Sequence, residues 1–266
     1  MSDFETGYFS EGNLGGWKLA SDLPFPNRAM AFGDGLFETM VYDGEKIRFF
    51  DHHIDRLKNG MHLLGLDMSE LNPEEILSLI HSVEPKRIKW TVYRAGAGKY
   101  YPENCKIHQV VQIAPLANIP DHNLRAVFSQ RVFLTHSIIS HCKTLNSLPY
   151  VLAALERKER GTDEIILLDS QGNVSEAGAS NIYWARGENV YTPSLQSGCI
   201  AGVSRRVILR HFRESGIPVE EGLFKPQDLL QADRAWISNV TGIRYLKSIE
   251  NTEYMDEPFP VLKRLF

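Results

Sequence analysis

The residue whose placement first raises a chemical question in this sequence is Lys143. It stands in HCKTLNSLPYVLAALERKERG, residues 141–161, directly after a His-Cys pair and at the mouth of a helix rather than on its solvent face. A lysine is ordinarily a solvated point charge, because burying an unpaired ammonium is costly. Position alone therefore leaves the use of the amine open, and the rest of the chain must decide it.

Other reactive side chains point to less. His52-His53 and the Cys105-x-x-His108 pair are potential ligands, but no second Cys or His pair stands at zinc-finger or zincin spacing, so no metal site is expected. The glycines of RAGAGKYYP, residues 94–102, lack the spacing of a phosphate loop and follow a strand-like run, which suits a hairpin or a site-lining loop. Cys105, Cys142 and Cys199 are too scattered for a disulfide framework and fit reduced thiols.

The elements that must position Lys143 follow from patterning. A chain of 266 residues, 43% hydrophobic and 23% charged, can bury one large core or two modest ones. GDGLFETMVYDGEKIRFF, residues 33–50, reads as two strands around the turn Asp43-Gly44. Ile54, Leu57, Met61 and Leu64 then fall at helical spacing, and NPEEILSLIHSVE begins a second helix from an Asn cap. RIKWTVYRA and HQVVQIAP are strand-like and close a small α/β unit, residues 1–116. LANIPDHN mixes Pro, Asn and Asp between apolar strands, so residues 117–123 are expected to link that unit to a larger one, residues 124–266.

In the second half, LRAVFSQRVF is a strand leading into the helix after Lys143, with Pro149 in its first turn and Gly161 as its terminator. DEIILLD is a strand, and SNIYWARGENVYTP is a hairpin built on Arg186-Gly187. IAGVSRRVILRHFRESG gives an amphipathic helix with Val203, Val207, Ile208 and Phe212 inward. RAWISNV, IRYLKSIE and a short terminal helix complete the chain.

The net charge of −4 and the shortness of the densest basic run, PKRIKW, give no polyanion-binding face, so nucleic acid is not an expected partner. The first residues lack a basic start and an apolar run, and no window is long enough for a membrane span, which leads to an expectation of a cytoplasmic protein.

Four segments taken in order resemble one family. HHIDRL (52–57), CKTLN (142–146), VSEAGASNIYW (174–184) and GCIAGVSRRVI (198–208) look like the fold-type IV pyridoxal-phosphate enzymes, or class IV aminotransferases. That group includes branched-chain and D-amino-acid aminotransferases and 4-amino-4-deoxychorismate lyase. The resemblance implies a two-domain α/β (α+β) fold, with a small N-terminal domain and a larger C-terminal one holding a barrel-like sheet flanked by helices. It also implies a homodimer with the cofactor in the cleft between domains.

The same resemblance implies roles for residues. Lys143 would form the Schiff base with pyridoxal 5'-phosphate and shuttle the substrate proton. Glu176 would face the pyridine nitrogen, where an anion favours the protonated ring. Arg56 would grip the phosphate, as would the amides of Val203 and Ser204 at a helix start and the turn holding Asn239, Val240 and Thr241. Phe37 would line the substrate pocket, with Arg94 and Lys99 as cations for carboxylates.

The KTLN spacing looks like the D-amino-acid aminotransferase and lyase branches rather than the branched-chain one. Two activities stay open: amino transfer between a small amino acid and a 2-oxo acid, and release of pyruvate from 4-amino-4-deoxychorismate.

Overall fold

The structure is a computed structural model, and it describes every residue except 1–5, 13–15, 22, 118–122, 256 and 263–264. The chain forms two compact units, residues 1–118 with 142–146, and residues 119–141 with 147–266. The division falls within the expected linker, and the segment carrying Lys143 folds with the first unit rather than with the C-terminal span. Most of the expected linker lies outside the described residues.

In the first unit, β1 (Thr6–Ser10), β2 (Lys18–Leu19), β3 (Gly35–Tyr42), β4 (Lys86–Arg94) and β5 (Ile107–Pro115) make an antiparallel sheet in the order β2-β1-β5-β4-β3. Alternation in RIKWTVYR puts Ile88, Trp90 and Val92 in the core and turns Lys89 and Thr91 to the opposite face. Helix α2 (Phe50–Leu64) packs Ile54, Leu57 and Met61 into the same core as Met40 and Trp90. Each such burial is worth about 1.5–3 kcal/mol. Gly60 makes the approach possible, since a Cβ there would lie 2.8 Å from a Leu36 methyl.

Two expected elements come out shorter. After β3, the Asp43 carboxylate accepts from the amides of Glu45 and Lys46, and the second strand shrinks to one bridge, Tyr42 with Ile47. The chain turns at Phe49 (φ 54°) straight into α2. The helix expected to start at an Asn72 cap is reduced to α3 (Glu74–Ser78), with Pro73 at the N-cap position. Helix α1 (Arg28–Phe32), capped by the Asn27 side chain, precedes β3.

The second unit holds β6 (Leu124–Leu134), β7 (Glu164–Asp169), β8 (Val174–Ala177), β9 (Asn181–Arg186), β10 (Asn189–Pro193), β11 (Val219–Gly222), β12 (Arg234–Asn239), β13 (Gly242–Ile249) and β14 (Thr252–Glu253). Their order is β11-β10-β9-β12-β13-β6-β7-β8, with β14 on β13. Parallel strands need long crossovers. Helix α4 (Leu148–Glu159) supplies one between β6 and β7, and α5 (Val203–Glu214) supplies another between β10 and β11.

Strand β9 is buried on both faces, which explains its unbroken apolar run. Ile182 and Trp184 enter one cluster, while Tyr183 and Ala185 enter another with Ile208, Phe212 and Trp236. Helix α6 (Pro226–Leu230) closes the first of these through Leu229. Among the described residues no helix is long and apolar enough to cross a membrane.

Candidate active site

In the first unit, Lys143 is held by strand-like pairing. The Phe37 amide donates to the Lys143 carbonyl at 2.9 Å, and the Leu145 amide donates to the Gly35 carbonyl at 3.0 Å. This register places Lys143 Nζ 4.6 Å from the centre of the Phe37 ring. A second ammonium, that of Lys89, lies 5.0 Å from the same ring. Burial, followed by the nearby Arg87 charge, pushes the Lys89 pKa below the usual lysine range. Lys89 was not singled out in the sequence, where its strand reads as an ordinary alternation.

Arg56 is clamped from inside. Its Nε donates to Glu38 Oε1 at 2.7 Å and its Nη2 donates to Glu38 Oε2 at 2.5 Å, while His53 Nδ1 lies 2.6 Å from Oε2. Glu38 is 1% exposed. Burial alone would raise its pKa, but the Arg56 charge and the hydrogen bonds of His53 and Arg56 outweigh it and bring the carboxyl down to about 2. A bidentate carboxylate fixes the guanidinium plane, which is what an anion-gripping arginine needs.

Arg94 lines a pocket with Arg28, Asp34, Tyr100 and Asn146, and its side chain is tightly held. Its guanidinium donates to Asp34 and to the carbonyls of Leu64, Gly65 and Asn104. Arg28 shares the same Asp34 and donates to the carbonyls of Ala97, Lys99 and Tyr100. These two arginines fasten the glycine-containing loop after β4. Lys99 is exposed on that loop and contributes its carbonyl to the Arg28 tie.

In the second unit, β8 carries Glu176, 3% exposed. The Tyr150 hydroxyl donates to its Oε1 at 2.5 Å, and the Ile200 amide and Asn181 Nδ2 donate to Oε2 at 3.1 and 3.5 Å. Burial, and then the Glu176 charge, pushes the Tyr150 hydroxyl far above the usual phenol range. The same two causes raise the neighbouring Cys199 thiol to about 12.

The expected phosphate residues of this unit converge. Helix α5 starts at Gly202 with no side-chain cap, and Val203 and Ser204 are buried in its first turn. Gly202 is required there, because a Cβ would fall 2.0 Å from Asn181 Oδ1. The Ser238 hydroxyl donates to Ser204 Oγ at 3.1 Å, which ties the helix start to the end of β12. Asn239 follows, and its Oδ1 accepts from the Thr241 amide and hydroxyl at 2.9 and 2.6 Å. Val240 lies inside that turn.

Residues 35–249 match the model of the family described as amino-transferase class IV. The chain belongs to that family. An aminodeoxychorismate lyase of Vibrio harveyi is 26% identical over 252 residues, covering 91% of this chain and 92% of the lyase. The solved 4-amino-4-deoxychorismate lyase of Pseudomonas aeruginosa superposes with a TM-score of 0.86 at 23% identity, over 95% of this chain and 94% of that one. A fold IV transaminase of Curtobacterium pusillum gives 0.80 at 20% identity, over 96% of each chain.

The fold is thus fold-type IV, and this class IV enzyme is a pyridoxal-phosphate-dependent transaminase or lyase. The residues present in each unit fit that cofactor: the first holds an amine on an aromatic face and a clamped arginine, and the second holds a buried, hydrogen-bonded carboxylate and a helix start without a side-chain cap, crowded enough to require glycine.

Proposed function

We propose that this enzyme transfers an amino group between a small amino acid and a 2-oxo acid. The observation that carries the reading is the Phe37 ring, with Lys143 Nζ at 4.6 Å and Lys89 Nζ at 5.0 Å. The ring face orients the amine that must react, and the half-buried Lys89 offers a positive charge for a substrate carboxylate beside it.

In this reading Arg56, the amides of Val203 and Ser204 and the Asn239–Thr241 turn, Val240 included, hold the phosphate group. Glu176 holds the proton of the ring nitrogen. Bound pyridoxal phosphate supplies an aldehyde and a sink for the electrons left at the substrate Cα. Lys143 is the amine that would hold that aldehyde, and its Nζ would carry the substrate Cα proton.

Elimination of pyruvate from 4-amino-4-deoxychorismate is the second reading. It is supported by the lyase relative that aligns over nine-tenths of both chains. Both readings begin with the same proton at the same lysine, so the outcome depends on the substrate.

Visible absorption of the cofactor-loaded protein separates them, with D-alanine, L-glutamate, L-leucine and 4-amino-4-deoxychorismate added in separate cuvettes. A lasting loss of the yellow colour with one amino acid, restored by a 2-oxo acid, is the expected result. Colour that survives every amino acid, with pyruvate released from aminodeoxychorismate, would make the enzyme a lyase.

The same proposal includes a homodimer. Leu148, Val151, Leu152 and Leu155 form a stripe at helical spacing on α4, exposed at 66%, 52%, 49% and 53%, which a second copy would cover. Sedimentation equilibrium should give twice the chain mass of 30.2 kDa, and a monomer at micromolar concentration would refute the dimer. A cytoplasmic setting belongs to this reading as well, since it would keep the three free thiols reduced. Recovery of the protein in an exported or membrane fraction of its host would count against it.

A further inference from the structure

Glu176 is held by groups from three directions. Helix α4 brings the Tyr150 hydroxyl to Oε1, β9 brings the Asn181 amide to Oε2, and the segment before α5 brings the Ile200 amide to Oε2 with the Cys199 thiol beside it. The Tyr150 bond is the shortest of the three at 2.5 Å. It is also the one made to the oxygen that the other two donors do not reach. The carboxylate is 3% exposed and Oε2 is anchored twice, so its place does not depend on Tyr150.

What Tyr150 contributes is therefore electronic. A donor to an ionised carboxylate lowers the proton affinity of that carboxylate, and charge-assisted bonds of this length are the stronger kind. We propose that Tyr150 is a positioning residue that acts through Glu176, its hydroxyl setting how tightly Glu176 holds the proton of the cofactor's ring nitrogen. The inference rests on the cofactor reading above. It goes beyond that reading by making the strength of the electron sink adjustable from α4, by a side chain that does not itself meet the reacting atoms.

The geometry also makes the test clean. The Tyr150 ring packs against the cluster of Val132, Leu134, Ala153, Ile165 and Leu167. Tyr150→Phe keeps that packing and removes only the donor. The readout is the ring-nitrogen resonance of the full chain loaded with 15N-labelled pyridoxal phosphate at one fixed pH.

With the donor gone, Glu176 is the stronger base and draws the shared proton away from the ring nitrogen, so the resonance is expected to move toward the neutral-pyridine limit. Incorporation of 3-fluorotyrosine at position 150 keeps the fold and makes the phenol a better donor, so the resonance is expected to move the opposite way. Both shifts are expected to disappear in the Glu176→Gln background. A resonance unmoved by either substitution, or moved equally in the Glu176→Gln background, would overturn the proposal. If the wild-type chain takes up no cofactor and borohydride leaves no added mass on Lys143, the underlying functional reading fails, and this inference fails with it.

Discussion

Replacing Lys143 with alanine should leave a folded protein that retains no cofactor after borohydride reduction and whose turnover falls by at least about 10³-fold, since nucleophile and proton carrier are lost together. The fold should survive because the segment is held by its backbone. The pairings of Phe37 with Lys143 and of Leu145 with Gly35 use main-chain atoms that alanine keeps.

Lys143→Arg sharpens the prediction. Arginine keeps the positive charge and can still sit on the Phe37 face, but it stays protonated and cannot act as the nucleophile. The two variants should therefore lose activity alike. Mass spectrometry of the reduced protein and steady-state rates check both. Turnover within tenfold of wild type in either variant would remove Lys143 from the chemistry.

The second large effect is on stability, at Glu38. Removing the carboxylate in Glu38→Ala takes its bidentate partner from the Arg56 guanidinium, only 10% exposed, and costs about 3–5 kcal/mol of unfolding free energy. The pH dependence has a definite sign. The folded-state pKa of Glu38 is lowered from 4.5 to about 2, so its contribution is fully present above pH 4.5 and is lost as pH falls through 2. A shift of 4.5 to 2, at about 1.4 kcal/mol per unit, is on the order of 3 kcal/mol.

Denaturant titrations across that window should show wild type losing stability with acid by more than Glu38→Gln does. Parallel curves for the two proteins would mean that the Glu38 clamp adds nothing. A clamp of this strength also gives Arg56 a fixed plane before any anion arrives, so little side-chain entropy is left to lose on binding.

Several of these features were visible in the sequence, and physical reasons separate them from those that were not. Helix α2, the hairpin at Arg186-Gly187 and α5 announce themselves through local periodicity and turn chemistry, and the structure places them close to the expected limits. Tyr150 has no such signature. In LPYVL it looks like one more apolar residue of a helix, and only the pairing of β7 with β8 carries Glu176 to its hydroxyl from 26 positions away.

The partners of Arg94 are equally hidden. An arginine after a strand and before glycines suggests a site, but not that Asp34, 60 positions away, and the carbonyls of Leu64 and Gly65 at the end of α2 hold its guanidinium. Pairing of distant chain segments is information that spacing does not carry. Lys89 shows a third case, in which the strand was legible but the meeting of its ammonium with the Phe37 ring on the neighbouring strand was not.

Cys142–Asn146 belongs to a unit that otherwise ends at Asn118. Inheritance in this protein is therefore not modular along the chain. A chimera joined at residue 118 would take Lys143 from one parent and the backbone that seats it from the other. Compatible exchanges would need two further seams, before Cys142 and after Asn146, so that the lysine travels with Gly35, Leu36 and Phe37. Recombination libraries within the family should show that constraint as a depletion of single-crossover survivors.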